Sequence, residues 1–355
     1  MEKIVVDARM IYHSGIGVYL RSIIERLMNI GKFKILLLVY RQNIGIYGTK
    51  VEYVLVKSEI YSLRELFEIP FKIPRCNVFW TPHFNSPVFP TKAKRRLTTI
   101  HDVYHLAHLK KFSFLERMVI LCRFYFSFWN SDEIITVSKF SREEILRFYN
   151  RPHKIRTIAN GYHLSDSNGN ANFDFFNKDY ILFVGNVKPH KNLKNLIKAF
   201  NRLVDYPRGN FKKIYLIIVG KKDGFYSSDA FKKEELDRRI RFTGVVTDEE
   251  LCSIYRNAKV FVFPSTYEGF GLPVLEAFES RTPVIASNVA SIPEVAGDGA
   301  LYFDPLDSED IFLKLKMVLS SSELQKDLVK RGLNVLKEFS WESSFNKHLD
   351  VFLKK

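Results

Sequence analysis

Glu268 and Glu276 flank the segment "GFGLPVL", which holds two glycines and a proline. The apolar run "KVFVFPS" precedes it and "PVLEAFES" follows, so the pair brackets a turn from a strand into a helix. Pro273 suits the first helical turn, where its missing N–H would have no partner anyway. Gly269 and Gly271 let the backbone come close to a ligand and turn its amides outward. A helix start presents free N–H groups and partial positive charge, which suits a phosphate. One ligand with a phosphate between hydroxyl-bearing ends fits between these two carboxylates.

The elements around that turn alternate. The chain opens with the strand "KIVVDA" and a helix in which Ile16, Leu20, Ile23, Ile24 and Leu27 recur at three- and four-residue steps. Strands follow at "FKILLLVY", "VEYVLV", "NVFWTP", "RLTTIHD" and "EIITVS". A polar stretch rich in Asn, Asp, Ser and Gly interrupts, and the β/α alternation then restarts from "YILFVGN", with a helix expected over 231–239. Alternation of this kind predicts mostly parallel sheets covered on both faces. We expect a first domain over 1–163, a linker over 164–178, a second domain over 179–338, and a final helical stretch over 339–355. Ligands of open parallel sheets bind beyond the carboxyl ends of the strands, so two facing domains would enclose a cleft there.

Composition narrows the partners. The 355 residues suit two domains, and Cys76, Cys122 and Cys252 are too scattered for a disulfide framework or a structural zinc site, which fits a reducing cytoplasm. The first ten residues, "MEKIVVDARM", lack the apolar core of a signal peptide. Residues 1–160 hold 26 Lys and Arg against 13 Asp and Glu, whereas 161–355 hold 28 against 26. Nearly all the excess positive charge therefore sits in the first half, which points to an anionic partner. The apolar run 118–129, broken by Arg123 and Ser127, is too short to span a bilayer. It reads either as a core helix, packed through Cys122 and Phe124, or as an interfacial segment beside Lys110, Lys111, Arg117 and Arg123. "KAKRR" at 92–96 is a second basic cluster, so an anionic membrane surface is an expected partner.

Glu268 and Glu276 with "GFGLPVL" between them resemble the paired-glutamate motif of family 4 retaining glycosyltransferases of the GT-B fold. "DARMIYHSGIGVYL" looks like that family's N-terminal glycine loop, "TTIHDVYHLAH" its His-Asp strand end, and "LFVGNVKPHKNLKNLIKAF" its diphosphate segment. "ITVSKFSREEI" and "TIANGYH" precede the second domain in family order. "IRFTGVVTDEELCSIYRNA" resembles the base-binding region and "PVIASNVASIPEVAGDGALYFDP" the continuation, so the likeness covers almost the whole chain. It implies an α/β chain of two Rossmann-like parallel-sheet domains facing a central cleft, with acceptor binding on 1–163, nucleotide-sugar binding on 179–338, and the helix over 339–355 returning to the first domain. The implied activity is transfer of a hexose, with retained configuration, from a nucleotide-diphosphate sugar to a glycan or lipid-linked acceptor in cell-surface polysaccharide or lipopolysaccharide synthesis. Similarity to bacterial mannosyltransferases gives mannose a mild preference.

By the same resemblance, Glu268, His101 and Lys191 are the expected catalytic residues. Glu268 would accept hydrogen bonds from donor-sugar hydroxyls, helped by amides around Phe270 and Gly271, and Lys191 would sit on the diphosphate. Glu276 would hold the ribose. Gly15, Gly17, Asn186, His190, Val246, Gly269 and Leu272 complete the donor contacts, and Asp102 falls in the acceptor region. The chain departs from the family where many relatives carry arginine, at Asn186 and His190, and neither replaces a bidentate guanidinium. No Asp-x-Asp occurs, so a metal-independent reaction without a cofactor is expected, with cationic side chains serving the diphosphate.

A glycosidase would need its carboxylates on opposite sides of the scissile bond, whereas these two flank one turn. A nucleotide-sugar epimerase or a sugar phosphorylase remains the alternative on this architecture. The non-enzyme alternative, a basic nucleic-acid-binding protein, explains the charge but neither glutamate, and no RRM, KH or zinc-finger signature occurs. Nucleic acid is therefore not an expected partner.

Overall fold

A computed structural model describes residues 1–162, 173–207, 209, 211–221 and 237–354. The chain forms two compact units, Met1–Gly161 with Trp341–Lys355, and Tyr162–Ser340. Most of the expected 164–178 linker, and the expected 231–239 helix up to residue 236, lie outside the described residues.

The first unit runs β1 (Glu2–Asp7), α1 (Ser14–Ile30), β2 (Phe33–Val39), β3 (Glu52–Leu55), α2 (Leu63–Lys72), β4 (Cys76–Thr81), β5 (Ala93–Ile100), α3 (Tyr104–Ala107), α4 (Phe114–Asn130), β6 (Glu133–Thr136), α5 (Lys139–Phe148) and β7 (Ile155–Thr157). Its sheet is parallel in the order β3-β2-β1-β4-β5-β6-β7. Helices on both faces leave Ile4, Val5 and Val6 of β1 without solvent, which is why the strand reads as a continuous apolar run.

In α4 the usual logic of an amphipathic helix is inverted. One stripe, with Arg123, Phe124, Ser127 and Phe128, is buried, while the apolar Phe114, Met118, Leu121, Tyr125 and Trp129 form an exposed stripe at i, i+4, i+7, i+11 and i+15. Both readings of 118–129 are thus partly met, but Cys122 is exposed and does not share the core with Phe124. Ser113 and Glu116 close a capping box at the start of the helix.

The second unit runs β8 (Tyr180–Val184), α6 (Leu193–Val204), β9 (Tyr215–Val219), β10 (Ile240–Gly244), α7 (Asp248–Asn257), β11 (Val260–Phe263), α8 (Leu272–Glu279), β12 (Val284–Ser287), α9 (Ile292–Ala296), β13 (Ala300–Phe303), α10 (Ser308–Leu319) and α11 (Ser322–Leu336). Its parallel sheet has the order β10-β9-β8-β11-β12-β13.

The last helix, α12 (Trp341–Leu353), belongs to the first unit, where Trp341, Phe345, Val351 and Phe352 join the core of β1 and α1. Arg95 on β5 ties down its end, donating to the carbonyls of Val351, at 3.1 Å, and Lys354. A directed chain of hydrogen bonds crosses the core. Trp80 Nε1 donates to Thr99 Oγ1 at 3.0 Å, and Thr99 Oγ1 lies 2.9 Å from Tyr19 Oη. Tyr19 Oη meets His348 Nε2 at 2.7 Å, and His348 Nδ1 meets the Ser344 carbonyl at 2.8 Å. The carbonyl can only accept, so Nδ1 carries the proton, Tyr19 donates to Nε2, and Thr99 donates to Tyr19.

Burial lowers the pKa of His348 to about 4 and keeps the ring neutral. Its contribution to stability is complete above pH 6.5 and is lost as pH falls through the folded pKa, because the unfolded chain then binds the proton first. Tyr19→Phe strands the Thr99 hydroxyl and His348 Nε2, and should lower stability in chemical denaturation by about 1–3 kcal/mol. A change within a few tenths would show that the chain carries no weight.

Candidate functional site

In the second unit the sheet order reverses between β8 and β11, the place where loops leave the strand ends uncovered. The loop after β8 carries Asn186, His190 and Lys191, and the loop after β11 carries Glu268 to Gly271. Lys191 Nζ lies 2.5 Å from Glu268 Oε1, with both side chains mostly buried, and 5.5 Å from the Phe263 ring centroid. Backbone contacts fix the two loops to each other. Thr266 N–H donates to the His190 carbonyl at 2.8 Å, and Asn192 Nδ2 donates to the Pro264 carbonyl at 3.0 Å. The buried Ser291 Oγ reaches the carbonyls of both Glu268, at 3.0 Å, and Phe270, at 2.8 Å. Gly271, at φ +117, then turns the chain into α8 with Pro273 in its first turn.

Glu276 stands on α8. Tyr255 Oη of α7 donates to its Oε2 at 2.9 Å and also reaches the Pro273 carbonyl at 3.3 Å. Burial raises the Glu276 pKa to about 7 against the opposing hydrogen bond from Tyr255, and the carboxylates of Asp248 and Glu279 add to the rise. Asn186 is already engaged, since its Oδ1 accepts from the Lys221 N–H at 3.3 Å. Val246 is half-buried between β10 and α7, Leu272 opens α8, and Gly269 and Phe270 are buried in the turn.

The first unit gathers its polar groups at the corresponding place, between β1 and β4. His101 follows β5, and its Nε2 donates to the Pro82 carbonyl at 2.9 Å. Nδ1 is therefore the acceptor nitrogen, and burial lowers the ring's pKa to about 4 against the Pro82 bond and Asp102. The Tyr19 ring meets it edge-on, with centroids 5.0 Å apart. Asp102 Oδ1 accepts the Tyr104 N–H at 2.9 Å. Gly15 and Gly17 lie within the first turn of α1, and a Cβ on Gly17 would come 2.6 Å from the Ile11 carbonyl oxygen. The close approach at Gly17 is thus to its own chain.

Sequence reasoning overlooked a buried ionic network beside these residues. The Arg9 guanidinium forks onto Asp7 through contacts of 2.8 and 2.6 Å and also meets Glu65. Burial works to raise the Asp7 carboxyl, and Arg9 more than reverses it, holding it far below the usual carboxylate range. His83 Nε2 lies 3.5 Å from Asp7 Oδ2, and Arg123 Nη1 lies 3.5 Å from Glu65 Oε2. Ser291 and Tyr255 also went unnoticed. Their contacts lie 21 to 23 residues away in sequence, and no local spacing marks them. Among the described residues, no group of three or more His, Cys, Asp or Glu side chains is placed to hold a metal ion.

Glu276 supplies a pH test. Its folded pKa of about 7 exceeds the ordinary 4.5, so the folded chain holds this proton longer than the unfolded one. Wild-type stability should fall relative to Glu276→Gln as pH rises from 4.5 through 7, by about 3 kcal/mol in total. Parallel urea-stability profiles for the two proteins would exclude the raised pKa.

Residues 14–166 match the model described as Glycosyltransferase Family 4, and residues 170–335 match that of glycosyl transferases group 1. The chain is 31% identical over 290 residues to the O-antigen chain mannosyltransferase B of Escherichia coli, covering 76% of this chain and 73% of that protein. It is 28% identical over 290 residues to the O-antigen chain mannosyltransferase RfbU of Salmonella typhimurium, covering 80% and 75%. The crystal structure of Anabaena HepE in complex with UDP-glucose shares the fold, with a TM-score of 0.77 at 14% identity over 99% of each chain. The two parallel sheets, the paired glutamates at the second switch point and these matches agree, and the chain belongs to glycosyltransferase family 4.

Proposed function

We propose that this glycosyltransferase moves a hexose, mannose by preference, from a nucleoside-diphosphate sugar to a hydroxyl of a glycan or lipid-linked acceptor, with retention at the anomeric carbon. The observation that carries the reading is the Lys191–Glu268 pair set against the start of α8. Lys191 and Glu268 satisfy each other's charge. An entering diphosphate takes the Lys191 ammonium and the amides near Phe270 and Gly271, which frees the Glu268 oxygens for sugar hydroxyls. Cleavage of the sugar–phosphate bond moves negative charge onto the leaving diphosphate, so these fixed donors bind the transition state more tightly than the ground state. Glu276, presented by Tyr255, accepts from the ribose hydroxyls. His101 Nδ1 accepts from a sugar hydroxyl, and Asp102 serves the acceptor. The preference for mannose is supported by the mannosyltransferase names of the two enterobacterial relatives, and O-antigen-like glycan synthesis by the same names.

The exposed apolar stripe of α4, with Lys110 and Lys111 just before it, supports work at an anionic lipid surface, on the cytoplasmic face of the membrane. Within the second basic cluster only Lys92 and Lys94 are exposed, since Arg96 is half-buried and Arg95 holds the end of α12. Among the described residues no helix is long and apolar enough to cross a membrane.

Turnover measured with a panel of nucleotide sugars tests the chemistry. Glu268→Gln should lower kcat by about 10²–10³ while the fold survives, and chelation with EDTA should leave the wild-type rate unchanged. Wild-type activity in the variant would remove Glu268 from the site, and loss with EDTA that Mg2+ restores would overturn the metal-free account. Vesicle co-sedimentation tests the surface. Binding should require anionic lipid and weaken with salt, and Gln at Lys92, Lys94, Lys110 and Lys111 should remove about 1 kcal/mol per charge. Equal binding to neutral vesicles would refute the electrostatic part.

A further inference from the structure

The pattern of α4, with charge turned inward and apolar residues outward, recurs on α2. Leu63, Phe67 and Phe71, at i, i+4 and i+8, are 78%, 57% and 83% exposed, while Glu65 is buried. In water an amphipathic helix is arranged the other way round. The inward charges of the two helices meet. Arg123 Nη1 of α4 lies 3.5 Å from Glu65 Oε2 of α2, and Asn85 bridges them, donating to Glu65 Oε2 at 2.5 Å and accepting from Arg123. Both also clamp the residue before the N-cap of α2. The Tyr61 N–H donates to Glu65 Oε2 at 2.8 Å, and the Tyr61 carbonyl accepts from Arg123 Nη2 at 2.5 Å.

The two helices share one face of the sheet. α2 packs through Ile69 into a cluster with Val5 and Phe79, and α4 packs through Phe124 into one with Ile100. Val5 pairs in register with Phe79 and Phe79 with Arg96, which shares the side of Ile100 because side chains alternate along a strand. α1 and α12 cover the opposite side, with Val6, Trp80 and Leu97. The two outward stripes therefore lie on one layer. Phe89, 42% exposed, extends it, with its ring 5.2 Å from that of Phe67.

An exposed apolar face of this kind marks a partner, and the charges at its rim select which. Phe67 and Phe71 line a groove of about 440 Å³ together with Lys57, Arg64, Glu68 and Lys72. Glu68 is already engaged, accepting the N–H groups of Lys57 and Ser58 at 2.9 and 2.8 Å and facing Arg64 at 3.6 Å. Lys57 and Lys72 are exposed and have no acidic partner among the described residues, and Lys110 and Lys111 stand just before α4. Two copies joined through this face would set these lysines against each other. An anionic bilayer satisfies them, and its interfacial zone takes the phenylalanines with Tyr125 and Trp129.

We propose that α2 docks into an anionic bilayer together with α4, with Phe67 and Phe71 entering the acyl boundary and Lys57 and Lys72 held at the lipid phosphates. The proposal rests on the lipid-surface reading of α4 and adds a second point of insertion. One inserted helix leaves the unit free to roll about that helix, whereas two fix which side of the sheet faces the membrane.

Co-sedimentation with phosphatidylcholine vesicles containing about one-third phosphatidylglycerol tests it across a salt series. Phe67→Ser and Phe71→Ser should each weaken binding about tenfold at every salt concentration, as should Met118→Ser on α4, because the loss is of apolar burial. Lys57→Gln with Lys72→Gln should weaken it only where the screening length is long. Urea midpoints should not move, since the replaced side chains are exposed. Wild-type binding by the Phe67→Ser and Phe71→Ser variants, beside weak binding by Met118→Ser, would overturn the inference and leave the α4 surface standing. A wild type that binds no anionic vesicle would remove both. A dimer in sedimentation equilibrium that Phe71→Ser dissolves would assign the face to a second copy and overturn the proposal.

Discussion

A parallel strand cannot reach its neighbour by a tight turn. Each connection must cross a face of the sheet, and where the strand order reverses, two successive crossovers leave on opposite faces. That constraint acts once in each unit, between β1 and β4 and between β8 and β11. At both places the strand ends are free of covering helices, and polar side chains collect there. Lys191 and Glu268 meet at one, and Asp7, His83 and His101 gather at the other. The paired sheets are therefore two versions of one solution, filled with different chemistry.

The chemistry differs in how each unit treats charge. In the second unit, Lys191 and Glu268 form a single mostly buried ion pair, while burial drives Glu276 toward neutrality. In the first unit the charges are deeper and more fully matched, with Asp7 and Glu65 against Arg9 and Arg123. Buried pairs of this kind contribute little net stability because desolvation consumes their attraction, but removing one member leaves a costly orphan. Such a network serves better as a rigid frame than as a source of folding energy, which accords with its grip on the Tyr61 backbone.

The β/α alternation, the glycine turn and the two glutamates were readable because each is written in residues adjacent along the chain. Short elements were not. β7 spans three residues and α9 five, too few for any period to emerge. Gly15 and Gly17 looked like loop glycines, yet α1 begins before them, because a missing Cβ serves tight packing as well as it serves a loop. The hardest feature was Arg123. Within an apolar run it read as an interruption, whereas it lies on the buried side of α4 with Phe124 and Phe128, and Met118, Leu121, Tyr125 and Trp129 face water. Its partners, Asn85 and the Tyr61 carbonyl, lie 38 and 62 residues away, and only the fold brings them near.

The placement of α12 sets an order in time. The second unit, Tyr162–Ser340, has all its residues once synthesis passes Ser340, but the core of the first still lacks Trp341, Phe345, Val351 and Phe352. A ribosome working from the amino end therefore releases the later-encoded unit in a complete form first. The earlier one waits with an open apolar trough along β1 and α1, and with Tyr19 lacking the His348 acceptor. The usual sequence of domain folding during translation is thereby reversed. The half that carries most of the net positive charge becomes whole only when its last helix is delivered.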